Sequence, residues 1–102
     1  MPDHDPQRMD PEIVPLVDAL NRLPGICTIA SCSGHMRRGP WITFQVENQC
    51  DLVPLAYCCG HWWSVGLEPA SEDPPVFCLQ GPYLCWIVTA RLLVERIDEW
   101  LK

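Results

Sequence analysis

The residues best able to support chemistry lie in one polar stretch, Ser31 to Gly39, which reads Ser-Cys-Ser-Gly-His-Met-Arg-Arg-Gly. Ser31 and Ser33 offer hydroxyl groups, and Gly34 permits a left-handed backbone and the close approach of a ligand. Successive backbone N–H groups around such a glycine form an anion-binding nest. The stretch therefore predicts a site for a small anion.

Three further side chains bring charge to this predicted site. Arg37 and Arg38 can each hold a phosphate or carboxylate through two parallel hydrogen bonds, and His35 changes its charge near neutral pH. Cys32 near His35 also allows a thiol nucleophile, but the sequence names no carboxylate to orient the base. We expect a non-catalytic site for a nucleotide-like ligand; the competing interpretation is a solvated loop with capping serines and surface arginines.

A second cluster, Cys58 to His61, contains two adjacent cysteines, a glycine and a histidine. Joined with the polar stretch, it offers the ligand types of a Cys₂His₂ zinc site. That set would consist of Cys32, His35, Cys58 and His61. We favour the structural alternative, in which Cys59 packs in the core and the glycine ends a helix, so no metal is expected.

Tryptophans suggest a second kind of surface. Trp63 and Trp100 lie on predicted core faces, whereas Trp41 and Trp62 lie on the opposite faces of their predicted strands. An open face carrying these two rings would stack a base, bind a partner protein or form a homodimer. In the alternative interpretation, residues 83–88 or the N-terminal tail cover that face.

The elements that position these residues follow from hydrophobic periodicity. The first half predicts a helix from Asp10 or Pro15 to Leu23, and strands over Ile26–Ala30 and Trp41–Glu47 that pair antiparallel. The ten residues from Ser31 to Pro40 link them, where hairpins usually use about two to five. Such a long link is typical of a functional loop.

The second half predicts another helix, two strands and a final helix. The helix spans Asp51–Cys59, with Leu52, Leu55, Ala56 and Cys59 as its apolar stripe; the strands span Trp62–Glu68 and Val76–Gln80. The last helix starts near Trp86 and buries Leu93, Ile97, Trp100 and Leu101, although Tyr83–Val88 also suits a strand. The order α-β-β-α-β-β-α predicts an α+β two-layer sandwich, with a mainly antiparallel four-stranded sheet and three helices.

Composition limits the class of protein. The 102 residues are 48% hydrophobic and 20% charged, which predicts one domain over residues 10–102 behind a disordered Pro- and Asp-rich tail, residues 1–9. The chain has no apolar run of about 20 residues and no signal-like start, so we expect a cytoplasmic protein. Its net charge of −6 argues against broad nucleic-acid binding. The seven cysteines are expected to be reduced and mostly buried.

The segment Thr28 to His35, which contains Ser31-Cys32-Ser33-Gly34, resembles the strand and loop signature of the tRNA wybutosine-synthesizing protein 3 (Tyw3) family. That resemblance implies S-adenosylmethionine-dependent methylation in tRNA modification, with Ser31, Ser33 and Gly34 on the ligand side. His35 stands where the family carries Arg. The segment is also similar to small bacterial and phage proteins of unassigned function with a Cys-x-Gly-His loop.

These observations leave three functional hypotheses. The first is a binding domain that holds a nucleotide-like anion at the Ser31–Arg38 loop, as a phage-type sequestering protein would. The second is a divergent Tyw3-like enzyme that uses S-adenosylmethionine. The third is a protein–protein interaction module, or a homodimer, built on the Trp41 and Trp62 face.

Overall fold

The computed structural model describes residues 11–33, 39–67 and 75–102. Its helices are α1 (Val14–Arg22), α2 (Leu52–Cys59) and α3 (Trp86–Leu101), and its strands are β1 (Ile26–Cys32), β2 (Trp41–Val46), β3 (Ser64–Leu67) and β4 (Val76–Gln80). A 3₁₀ turn, Gln49–Asp51, leads into α2. The predicted α+β class and element order are confirmed, and residues 83–85 precede α3 without forming a strand. Asp10 and the predicted tail lie outside the described residues.

The four strands form one sheet in the order β1-β2-β4-β3, and every neighbouring pair is antiparallel. The predicted pairing of the first two strands is therefore correct. Because β2 and β3 are both antiparallel to β4, they run parallel to each other. They form, with α2, a β-α-β unit whose two strands are separated by β4.

The helices cover one face of this sheet. α1 contacts β1, α2 contacts β3, and α3 contacts both other helices. The inner strands supply Ile42, Phe44 and Leu79 to the interface, and α3 supplies Leu93 and Ile97; all are at most 2% exposed. Burial of each such side chain stabilises the fold by roughly 1.5–3 kcal/mol, so this layer holds the sheet in place.

A polar contact fixes the end of α1 to the start of β1. The Asn21 amide donates to Thr28 Oγ1 at 2.9 Å, and the Thr28 backbone N–H donates to Asn21 Oδ1 at 3.1 Å. Thr28 is only 2% exposed, so these bonds satisfy groups that would be costly to bury alone. The next residue of α1, Arg22, forms an ion pair with Asp98 of α3 at 2.6 Å.

Some predicted core positions are wrong. In α2, Cys58 is buried and Ala56 is exposed, because the buried face is centred on Leu55, Cys58 and Cys59 and is therefore rotated away from Ala56. In α3, Trp100 is 45% exposed, since its ring lies against Tyr57 of α2, with 5.3 Å between ring centroids, and not against the sheet. Leu101, one residue from the chain end, is also exposed.

None of the seven cysteines forms a disulfide bond. Cys58 and Cys59 are buried as expected, but Cys27, Cys50 and Cys85 are exposed. The expectation of burial is wrong for these three cysteines because of where they lie. Cys27 is on the uncovered sheet face, Cys50 is in the 3₁₀ turn and Cys85 is just before α3. Among the helices of the described ranges, none combines the length and apolar character needed to cross a bilayer.

Candidate functional site

The first strand is longer than predicted: β1 continues two residues past Ala30, so Ser31 and Cys32 belong to the sheet. Ser31 pairs with Ile42, and Cys32 pairs with Trp41, in the antiparallel ladder with β2. Directly paired residues project from the same face of a sheet. Ile42 is completely buried beneath the helices. Ser31 therefore faces the helical layer, whereas Cys32 and Trp41 face the uncovered side.

A β-bulge sets this arrangement. Thr28 pairs with Phe44, but Ala30 pairs with Thr43, so Ile29 is the extra residue in β1. Strand residues alternate between faces, and one inserted residue reverses the alternation for everything after it. Without the bulge, Ser31 would face the open side. The structure thus separates Ser31 from Cys32, which the sequence had grouped in one site.

Because Ser31 faces the helical layer, its hydroxyl group is enclosed by the protein. Its Oγ atom is buried and makes no hydrogen bond within the described part of the chain. A buried polar atom without a partner costs about 1–3 kcal/mol. Such atoms are uncommon in folded proteins and repeatedly mark positions where water or a ligand completes the bonding. Ser31 therefore stays a candidate binding residue.

The candidate site lies at one end of the strands, where β1 and β4 finish and β2 and β3 begin. Cys32, Trp41, Gln80 and Ser64 lie side by side across β1, β2, β4 and β3. Trp41 occupies the second strand of this row and is only partly buried. Trp41 therefore offers a partly exposed aromatic ring next to Cys32, the last residue of β1.

The residues that lead into β2 contact the turn that precedes α3. The Gly81 backbone N–H donates to the Pro40 carbonyl at 3.0 Å. A Cβ atom on Gly39 would collide with the Gly81 carbonyl oxygen, and one on Gly81 would meet the Trp63 ring at 2.6 Å. These glycines let three segments pack closely. Sequence reasoning missed this contact, although both glycines were visible next to prolines.

Trp62 lies away from Trp41. β3 begins only at Ser64, and Trp62 sits in the preceding turn, where Gly60 adopts a positive φ of 63°. Trp62 lines a small cavity of about 40 Å³ together with Leu92 and Arg96 of α3. The predicted face containing both tryptophans is therefore divided. Trp41 belongs to the sheet surface, with Thr43 and Gln45, and Trp62 belongs to the helical surface.

The zinc set is not assembled. Cys32 lies on β1 at one edge of the sheet, whereas Cys58 lies in α2, which contacts β3 at the other edge. Within the described ranges, no three metal-binding side chains come together. Burial also raises the pKa of the Cys58 thiol, and it raises the pKa of Cys59 to about 12. These two thiols stay protonated near neutral pH, which disfavours nucleophilic attack by either of them.

The remaining predicted site residues, Gly34, His35, Arg37 and Arg38, lie outside the described residues. The described flanks, Ser33 and Gly39, mark where that segment leaves and rejoins the sheet. Their contribution is argued from sequence alone. No protein-family model, curated protein or solved structure matches this chain, so the likeness to the Tyw3 family stays a prediction.

Proposed function

We propose that this protein binds a small anionic ligand of the nucleotide class at the end of the sheet where β1 and β2 meet. The observation that carries the proposal is the placement of Trp41, which is partly exposed on the open sheet face next to Cys32 and Gln80. Stacking of a base on an aromatic ring contributes roughly 1–3 kcal/mol. Trp41 would hold the base or another flat ring.

The sequence supplies the charge for the other end of such a ligand. Arg37 and Arg38 lie between Cys32 and Trp41, and guanidinium groups bind phosphate oxygens in pairs. The net charge of −6 opposes binding of a long polyanion. A local pair of arginines on an acidic protein fits a small phosphate ligand better than a nucleic-acid chain.

Calorimetric titration of the full chain with inorganic phosphate, nucleoside monophosphates and nucleoside triphosphates tests the proposal. We expect heat with nucleotides and weaker binding of phosphate alone, because only nucleotides can use the ring. Trp41→Leu should weaken nucleotide binding by roughly tenfold or more. Trp62→Leu is the matched control: it removes another exposed tryptophan, on the helical side, and should leave the affinity unchanged.

A charge-matched pair of double variants tests the phosphate end. Arg37→Ala with Arg38→Ala should abolish binding of phosphate and reduce binding of nucleotides. Arg91→Ala with Lys102→Ala removes the same charge from α3 and the C-terminus and should have little effect. If the first pair leaves all binding intact, or if no nucleotide binds the wild-type chain, the proposal is wrong.

S-adenosylmethionine belongs in the same titration, because it tests the resemblance of Ser31-Cys32-Ser33-Gly34 to the Tyw3 family. Heat with S-adenosylmethionine and none with nucleotides would replace the proposal with the methylating alternative. The ligand also contains an adenine ring, so the Trp41→Leu comparison stays informative in that case.

A further inference from the structure

The outer surface of the helical layer carries many apolar side chains that the core does not use. Seven of them belong to α2, α3 and the turns next to these helices. Their exposed fractions are Tyr57 75%, Leu84 73%, Val53 61%, Trp62 61%, Val88 57%, Leu92 46% and Trp100 45%. Single exposed apolar residues are ordinary, but a group of this size is not.

We call these seven exposed side chains the α2–α3 patch. Val88, Leu92 and Trp100 belong to one oblique row of α3, in which each residue follows the last by four positions. Arg96 occupies the same row, between Leu92 and Trp100. The Trp100 ring lies 5.3 Å from that of Tyr57 on α2. Trp62 and Leu92 line the same small cavity, which joins the turn before β3 to the patch.

α3 has one apolar side that packs in the core and an outward side that mixes apolar and charged residues. Ala90, Leu93 and Ile97 form the buried stripe that packs on the sheet and the other helices. Val88 and Leu92 lie outside this stripe and are 57% and 46% exposed. The side of α3 that carries them also carries the charged residues Glu95, Arg96 and Glu99. A helix that only closes a two-layer sandwich needs one apolar stripe, with polar residues opposite. Exposed aromatic side chains next to an arginine, as in Trp62, Trp100 and Arg96, are the composition that protein–protein interfaces favour.

The size of the patch matches a stable interface. The three aromatic side chains, which are 75%, 61% and 45% exposed, leave roughly 270–450 Å² accessible, given about 150–250 Å² for each ring, and the four aliphatic side chains add to this area. The largest apolar patch on a typical monomer is about 300–600 Å², and a standard interface buries about 800 Å² on each partner. One patch of this size on each of two chains is enough for a dimer.

The charges beside the patch suit a second copy of the same chain. Arg96 and Glu99 line a groove with Tyr57 and Trp100. A surface that carries a cation and a carboxylate side by side can pair with itself across a two-fold axis, because each charge meets its opposite. We propose that the α2–α3 patch is the interface of a two-fold symmetric homodimer. The proposal is independent of ligand binding at Trp41, which lies on the other face of the sheet.

Sedimentation velocity and light scattering over a dilution series test this proposal on the full chain. The wild-type protein should have twice the chain mass and should dissociate on dilution. Leu92→Glu and Tyr57→Glu should each raise the dissociation constant by roughly 30-fold or more, the effect of removing a buried interface anchor. Cys27→Glu adds the same charge at an exposed position on the uncovered face of the sheet, and it should leave the dimer intact.

Three outcomes would overturn the homodimer: a wild-type monomer at every concentration, a dimer that survives both charge variants, or a dimer that only Trp41→Leu dissociates. Circular dichroism establishes that each variant is folded. If Leu92→Glu does not fold, Tyr57→Ser decides the question, since Tyr57 is the most exposed side chain of the patch and its replacement leaves the core untouched.

Discussion

At the scale of single residues, Gly25 determines how α1 joins the sheet. Its φ is +79°, a backbone conformation that residues other than glycine rarely adopt. A Cβ atom there would overlap the Asp51 carboxylate, which accepts a hydrogen bond from the Asn48 backbone at 3.0 Å. The Gly25 carbonyl also accepts from the Glu47 N–H at 2.9 Å. One residue thus joins the ends of α1 and β2 to the turn that starts α2.

Gly25→Ala should therefore lower the free energy of unfolding by about 1–3 kcal/mol, because it combines a strained φ with a collision at Asp51. Urea denaturation followed by circular dichroism measures the change. Gly66→Ala is the control, since no atom lies within 4 Å of a Cβ built there; its effect should stay within about 0.5 kcal/mol. Equal losses for both variants would contradict this account of Gly25.

At the scale of elements, the position of a strand in the sheet determines how deeply its side chains are buried. β4 lies between β2 and β3, and its Leu79 is completely buried against the helices. β3 is an edge strand, and its Leu67 pairs with Phe77 of β4 while staying 60% exposed. Both leucines occupy the helix-facing side of neighbouring strands, yet only the inner one is enclosed.

Leu79→Ala should cost about 2–5 kcal/mol of unfolding free energy, the range for emptying a buried leucine site. Leu67→Ala, the same substitution one strand away, should cost less than about 1 kcal/mol because water already contacts the side chain. Chemical denaturation of the two variants in parallel provides the comparison. A loss at Leu67 as large as at Leu79 would mean that the edge strand is enclosed in solution, for example by another chain.

At the scale of the whole molecule, two buried thiols link stability to pH. Burial raises the pKa of Cys59 from its ordinary value of 9.0 to about 12, with a smaller contribution from Cys58 beside it. Above pH 9.0 the unfolded chain loses this proton while the folded chain keeps it, so unfolding is favoured. Below pH 9.0 both states hold the proton and the thiol adds no pH dependence.

The free energy of unfolding should consequently fall as the pH rises from about 9 toward about 12. Cys59→Ala should flatten that fall, although the variant starts from a lower stability because it leaves a small cavity. Cys50→Ala, at an exposed cysteine of the 3₁₀ turn, should keep the wild-type slope. Denaturant titrations at a series of alkaline pH values measure all three slopes. Identical slopes for wild type and Cys59→Ala would refute the burial argument.

The whole molecule also presents two different surfaces on opposite sides. The open sheet face carries Trp41 in a row with Cys32 and Gln80. The helical face carries Tyr57 and Leu92 in the α2–α3 patch. Because the core layer separates these faces, ligand binding and self-association can be tested with non-overlapping sets of variants.

The sequence by itself determined the class of the fold and the order of its elements. Those features depend on local patterns: the alternation over Trp41–Val46, the helical spacing of Leu93 and Ile97, and the glycine that ends α2. A residue's neighbours within one turn or one strand are enough to produce such patterns. The candidate loop was found in the same way, from residue types next to a strand.

Only the tertiary structure decided which of these residues share a surface. The strand order β1-β2-β4-β3, the bulge at Ile29 and the separation of Trp62 from Trp41 all arise from pairing between distant parts of the chain. A one-residue bulge reverses the face of every later residue in β1, and the hydrophobic pattern of the strand does not reveal such a bulge. Ser31 therefore faces the helices and Cys32 the open side, although the two are adjacent in sequence.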